Sequence, residues 1–330
     1  MVMVSIKDIA KKCGVSVATV SKALNDQSDI GKANKSKITK VAEEMGYMPN
    51  MSARTLKTNR TYNIGVLFTD SEPGLAHEYF SNVLDSFKSE AEDRGYDITF
   101  ISDVIAGKKV TFKKHCEYRN FDGVAIISAG FNNKEIIELA KSNIPVVTLD
   151  HEYKECSSVI SNNTDGMSEL VEYAIHMGHK KIAFIHGENT KVTADRLTGF
   201  YATMRKYKID VPDEYVVEAR YHDPKLSAEK FEKLLKLKTP PTCVIFPDDY
   251  STIIANNLIG GIKKNVSFMG YDGIELSRVL DLTTYEQNKN ELGRAAARKL
   301  IDKIENPSIN PEHLIIKGNL IKGSTLKKAK

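Results

Sequence analysis

The sequence predicts an α/β protein: a basic helix-turn-helix head over residues 1–48, a linker over 49–60 and a large body of parallel sheets over 61–330. Three observations carry this. The first 60 residues hold a net charge of +6, while the remaining 270 hold −2. Two short amphipathic helices joined by a glycine turn open the chain. From Tyr62 onward, short apolar runs alternate with amphipathic helices, the pattern of parallel sheets covered on both faces.

Composition narrows the classes. The 330 residues are 41% apolar and 27% charged, which excludes wholesale disorder and fibrous repeats. No apolar run approaches the roughly 18 residues of a membrane span, and the charged N-terminus argues against export. Cys13, Cys116, Cys156 and Cys243 form no Cys-x-x-Cys pair, so they read as reduced thiols of a cytoplasmic protein. A basic module on a slightly acidic body points to a nucleic-acid-binding head.

In the head, Ser5 caps a first helix with Asp8 in its first turn. Ile6, Ile9, Ala10 and Cys13 recur at helical spacing, and Gly14 ends the helix. Ser16 caps a second helix, in which Val20 and Leu24 point inward. A third, from about Lys32 to Met45, supplies Ile38, Val41 and Met45 to the core. The second helix of such a motif enters the major groove. Its outward face carries Val17, Ala18, Ser21 and Lys22. Lys22 suits guanine, and Val17 and Ala18 suit a thymine methyl. Ser16, Thr19 and Asn25 suit phosphates.

The run from Ser5 to Asn25, with Val-Ser-Val-Ala-Thr-Val-Ser at its centre, resembles the head of the lactose/galactose repressor (LacI/GalR) family. So do Gly46-Tyr47-Met48-Pro49-Asn50, Ala53-Arg54-Thr55-Leu56 and Ile64-Gly65-Val66, and the likeness extends over nearly the whole chain. Lys22 departs from the family's usual Arg, and a Lys lacks the bidentate fork. The resemblance implies that Met51 to Lys57 forms a hinge helix, folding in pairs on the operator. Leu56 matches the wedge that kinks the operator centre. Ala53 lets paired hinges approach, and Arg54 and Lys57 face phosphates. Ser5 and Asn50 complete the expected DNA-binding set.

In the body, strands are expected at Asn63–Phe68, Asp97–Ser102, Gly123–Ile127, Pro145–Leu149, Lys181–His186, Tyr215–Glu218, Cys243–Phe246 and Ser267–Tyr271. Helices are expected at Tyr79–Arg94, Lys134–Lys141, Gly166–Met177, Ala194–Lys206, Ala228–Leu237 and Glu291–Ile304. So many elements suit two lobes better than one. The resemblance implies the two-lobed periplasmic-binding-protein architecture. Its N-lobe spans about 61–158 and 288–318, and its C-lobe about 159–287 and 319–330.

Ligands of open α/β sheets bind at the carboxyl ends of strands. Thr69, Asp70, Asp150, Asp248 and Asp272 follow predicted strands. Arg196 matches the family's effector-binding motif, and Phe80 or Phe246 offers a face for a sugar ring. Such a set suits a polyhydroxylated effector, with a purine, a phosphorylated metabolite or a protein corepressor as alternatives. The adjacent Asp248-Asp249 pair is a poor catalytic site, because neighbouring side chains diverge. His176 and His179 read as helix-end cations beside the Gly178 cap, not as metal ligands. No Walker loop, nucleophile elbow or zinc pattern is present, so neither an enzyme nor a cofactor is expected. An exported sugar-binding protein would leave the basic head unexplained. The expectation is a cytoplasmic homodimeric repressor of a sugar-utilisation operon. It would bind a near-palindromic operator under control of a small effector. The C-terminal residues 323–330 lack a leucine heptad, so no coiled-coil tetramer is expected.

Overall fold

The computed structural model describes residues 4–24, 30–48, 55, 60–69, 74–259 and 266–329. They fall into two compact units, residues 1–61 and 62–330. The expected sites at Asn25, Asn50, Ala53, Arg54, Leu56, Lys57 and Asp70 lie outside the described residues.

The first unit contains α1 (Ile6–Cys13), α2 (Val17–Leu24) and α3 (Lys32–Glu44). Ser5 and Asp8 form a reciprocal capping box: the Asp8 amide donates to Ser5 Oγ, and the Ser5 amide donates to the Asp8 carboxylate at 2.9 Å. Two otherwise orphaned N–H groups are thereby satisfied. Gly14 closes α1 with a left-handed φ of 70°, a conformation that favours glycine. Ile9, Ala10, Cys13, Val20, Ala23, Ile38 and Ala42 form the core of the head. Val41, Met45 and Leu24 pack against it.

The second unit has two sheets. In the first, strand order is β13 (His313–Ile316), β7 (Ser157–Ser161), β6 (Val146–Leu149), β5 (Gly123–Ser128), β1 (Asn63–Phe68) and β2 (Asp97–Phe100), all parallel. The second runs β14 (Asn319–Ile321), β12 (Thr284–Glu286), β11 (Ser267–Asp272), β10 (Cys243–Ile245), β8 (Ile182–His186) and β9 (Val216–Glu218). Only β14 is antiparallel to its neighbour there. The remaining strands, β3 (Val104–Ile105) and β4 (Lys108–Lys109), form a small hairpin.

Helices cover both sheets. In the first lobe these are α4 (Glu78–Asp93), α5 (Phe112–Arg119), α6 (Lys134–Ala140) and α12 (Lys289–Glu305). In the second they are α7 (Asn163–His176), α8 (Lys191–Lys206), α9 (Pro224–Leu235), α10 (Asp249–Leu258) and α11 (Glu275–Val279). The chain crosses between lobes after β7, β12 and β13. The first crossing follows Ser161, because all five residues of β7 are buried in the first sheet. The expected boundary at 158 cut through that strand. Of the four cysteines, all free and buried, Cys116 and Cys156 are pushed up to about 12 by burial. His179 is a correction. It is buried, with its two ring nitrogens against Thr242 and the Lys327 carbonyl. Burial lowers its pKa, so it is a neutral core residue and not a helix-end cation.

Candidate effector cleft and DNA-reading helix

The strand ends of both sheets line a cavity of about 1210 Å³. Asp150 follows β6 in one lobe, and Asp272 ends β11 in the other. Both face this cavity, and both carry left-handed backbone, with φ of 55° and 111°. Such conformations cost about 1–3 kcal/mol and cluster at ligand sites. Asp150 accepts a hydrogen bond from the Tyr79 hydroxyl at 2.8 Å and another from the Ser161 amide at 3.2 Å. Burial raises its pKa, against those donors and Arg196. Asp272 accepts from Gln287 Nε2 at 2.7 Å. Burial pushes its carboxyl up to about 6, with Arg196 opposing.

Arg196 is only 2% exposed. Its Nε donates to Asn163 at 2.8 Å and its Nη1 to the Pro247 carbonyl at 2.7 Å. Its Nη2 stands 3.9 Å from Asp272. The guanidinium thus ties α7, α8 and the end of β10 together while bordering the cavity. Phe80 also lines the cavity, its ring edge-on to Phe68 at 5.2 Å. Carboxylates and a guanidinium in a walled cleft can grip vicinal hydroxyls, with a ring edge against an apolar sugar face.

Three expected positions lie elsewhere. Phe246 is fully buried, packed against Phe231 at 5.3 Å in the core beneath α9. Its side chain leaves the pleat on the helix-covered face, opposite in role to a ligand platform. Asp248 is 1% exposed and caps α10, accepting from the Ser251 amide at 2.6 Å and the His222 amide at 3.0 Å. Thr69 is exposed past β1 and is not among the cavity-lining residues. Asp249 diverges from Asp248 as expected. Its carboxylate accepts from the Gly273 and Ile274 amides and from the Ser277 and Thr284 hydroxyls.

Sequence reasoning missed Tyr79, Glu188, Tyr221 and Gln287, all of which line the cavity. Glu188 could have been found, since it follows the strand expected at Lys181–His186. Tyr79 opens a helix, and its role depends on reaching Asp150, 71 residues away. Gln287 keeps a buried Oε1 with no hydrogen-bond donor among the described residues. A ligand hydroxyl would supply one.

In the head, Val17, Ala18 and Lys22 are exposed on α2, and Ser21 is half-buried. Ser16 Oγ accepts from the Thr19 amide at 3.1 Å and lies 2.8 Å from the Thr19 hydroxyl. Ser5 is committed to its capping box. The helix therefore presents a short, mostly small-residue face with one cation, narrow enough to seat in a groove.

Comparison with known proteins decides the family. Residues 5–50 match the bacterial regulatory proteins of the lacI family, and residues 171–326 match a periplasmic binding protein-like domain. The chain is 31% identical over 324 residues to the probable HTH-type transcriptional repressor ExuR of Bacillus subtilis, covering 95% of each. The chain belongs to the LacI family. This LacI-family protein is a DNA-binding transcriptional repressor and not an enzyme. It is also 30% identical to the HTH-type transcriptional repressor PurR of Pasteurella multocida, over 93% of each chain. Among solved structures, a putative LacI transcriptional regulator from Bacillus cereus subsp. cytotoxis matches at 26% identity with a TM-score of 0.72. That match covers 81% of this chain and 99% of the other. The lac repressor dimer bound to operator and an anti-inducer matches at 22% identity and a TM-score of 0.78. It covers 99% of this chain and 100% of that one, a likeness of fold. No described helix of this LacI-family chain is long and apolar enough to cross a membrane.

Proposed function

We propose that this repressor acts in the cytoplasm as a homodimer on a near-palindromic operator. Its effector is a polyhydroxylated small molecule, a sugar, bound in the cleft between lobes, and the genes it controls serve sugar use. The convergence of Asp150, Arg196 and Asp272 from both lobes on one cavity supports this reading. A ligand touching both lobes has different affinity for open and closed forms, which is what an effector needs to shift the equilibrium. The α2 face of Val17, Ala18, Ser21 and Lys22 reads each half-site. Thr19 and Asn25 meet phosphates, and the 49–60 hinge brings Asn50, Ala53, Arg54, Leu56 and Lys57 to the operator centre.

A phosphorylated metabolite is the second reading, favoured by Lys191, Arg220 and Lys225, which line the same cavity. A thermal-shift screen of the full-length protein against sugars, sugar phosphates and purines separates the two, because a ligand of the folded state raises the melting point. Operator binding with and without the hit then gives the direction of the response. A hit confined to sugar phosphates or purines would replace the sugar assignment. For the hinge, Leu56→Ala is expected to weaken specific binding far more than nonspecific binding. Equal losses would remove the wedge.

A further inference from the structure

At the wall of the cavity, which His222 itself lines, three metal-ligating side chains from distant parts of the chain meet across the two lobes. His77 is the N-cap of α4 in the first lobe and is 3% exposed. His222 stands in the turn between β9 and α9 of the second lobe, with a left-handed φ of 58°. Asp248 caps α10 and is 1% exposed. The two imidazole rings are 3.9 Å apart between centroids. His222 Nδ1 lies 3.8 Å from Asp248 Oδ2. One potential ligand atom from each of the three residues falls within 4.8 Å of the others.

Two observations separate this cluster from an ordinary buried network. His77 Nε2 is buried with no hydrogen-bond partner among the described residues, and buried His222 Nδ1 meets only the Asp248 carboxylate, 3.8 Å away and beyond hydrogen-bond reach. Native interiors rarely leave such atoms unsatisfied, and each costs about 1–3 kcal/mol when they do. The donor set is also chemically coherent. Two imidazoles and one carboxylate suit zinc and neighbouring divalent transition ions, and leave a position open for water or a ligand. The Asp248 carboxylate is already oriented by the Ser251 and His222 amides, as outer-shell partners orient metal ligands elsewhere.

We propose that His77, His222 and Asp248 form a binding site for a divalent transition-metal ion, zinc or a close relative, that joins the two lobes. Tetrahedral ligands at about 2.1 Å stand roughly 3.4 Å apart, so binding draws the three atoms together by up to about 1.4 Å. The cost is local. His77 Nδ1 accepts from the Tyr79 amide at 3.3 Å. A ring ligating through Nε2 carries its proton on Nδ1 and gives up that long cap bond. Similarly, the Ser251 hydroxyl, now 3.0 Å from Asp248 Oδ2, turns aside. Because the ligands come from both lobes, the ion fixes their relative position. Metal supply becomes a second input on the repressor, one that shares His222 with the wall of the effector cavity.

The test is titration of chelator-treated full-length protein with zinc by calorimetry, and with cobalt(II) by visible absorption, both without effector or DNA. The expected result is one ion per chain, tetrahedral cobalt bands and a raised melting temperature. His222→Ala and, separately, His77→Gln, whose side-chain oxygen can keep the helix cap, are expected to weaken zinc binding by more than about tenfold. A His151→Ala control is expected to bind like the parent. No stoichiometric binding by the parent overturns the site. So does binding that survives both variants, which would mark adventitious uptake by other histidines.

Discussion

The guanidinium carbon of Arg196 lies 3.5 Å from the centroid of the Tyr271 ring. With Nε and Nη1 committed to Asn163 and Pro247, stacking on Tyr271 fixes the one remaining edge toward Asp272. The residue holds three elements of the second lobe in place and orders a carboxylate of the cleft at the same time.

Arg196→Ala is therefore expected to abolish the effector response while operator binding persists. It also lowers stability by about 2–3 kcal/mol, since two buried acceptors lose their donor. Anisotropy of labelled operator DNA across an effector titration reads the first effect, and urea unfolding reads the second. A response that survives the lost stability would leave Arg196 a purely structural tie.

Lys22 is exposed on the outward face of α2. Lys22→Ala is expected to relax preference at one position of each half-site by about 1–3 kcal/mol. Selection from randomised operators checks this. A uniform loss over all sequences would make Lys22 a phosphate contact.

Asp272 sets a pH dependence. Its folded pKa of about 6 lies above the ordinary value of 3.8. The folded state therefore holds its proton more tightly than the unfolded state does. The stability this gives is full below about pH 4 and is lost as pH rises through 6, a span on the order of 3 kcal/mol. Asp272→Asn removes that slope. Denaturant unfolding of the parent and variant between pH 4 and 7 measures it, and parallel curves would refute the assignment.

Gly293 lies where α12 crosses α4. A Cβ there would meet the Val83 carbonyl at 2.2 Å and Ser86 Oγ at 2.1 Å. Gly293→Ala is expected to destabilise the body by about 1–3 kcal/mol or more through overpacking, despite alanine's better helix propensity. Thermal unfolding of the variant reads this directly. An unchanged or raised melting temperature would mean that the helices separate freely.

Local pattern determined much of this chain. The head follows from capping residues and helical spacing, and β1 is found at the predicted Asn63–Phe68, because a continuous apolar run between polar flanks has few other solutions. Elements with polar residues at buried positions escaped. Three of the five residues of β7 are serines, yet the whole strand is buried. Ser157 accepts from the Glu312 amide and Ser158 pairs with His313, 155 residues away in each case. Those partners come from β13 and its approach, which no local window contains.

The same limit governs the sites. A rule about strand ends found Asp150 and Asp272, but it also selected Asp248, which caps a helix, and Phe246, expected as a face for a sugar ring, turns into the core. Whether a strand-end side chain meets solvent, a ligand or a helix depends on which face it leaves and what packs there. The sequence by itself determined the family, the head, the class of fold and the Arg196 position. Tertiary structure alone decided that Tyr79 reaches Asp150, that Gln287 holds Asp272, and that His77 faces His222. These pairs lie 71, 15 and 145 residues apart in sequence. Helical and strand periods carry no information on such distant pairings, which register and packing settle only when the lobes fold.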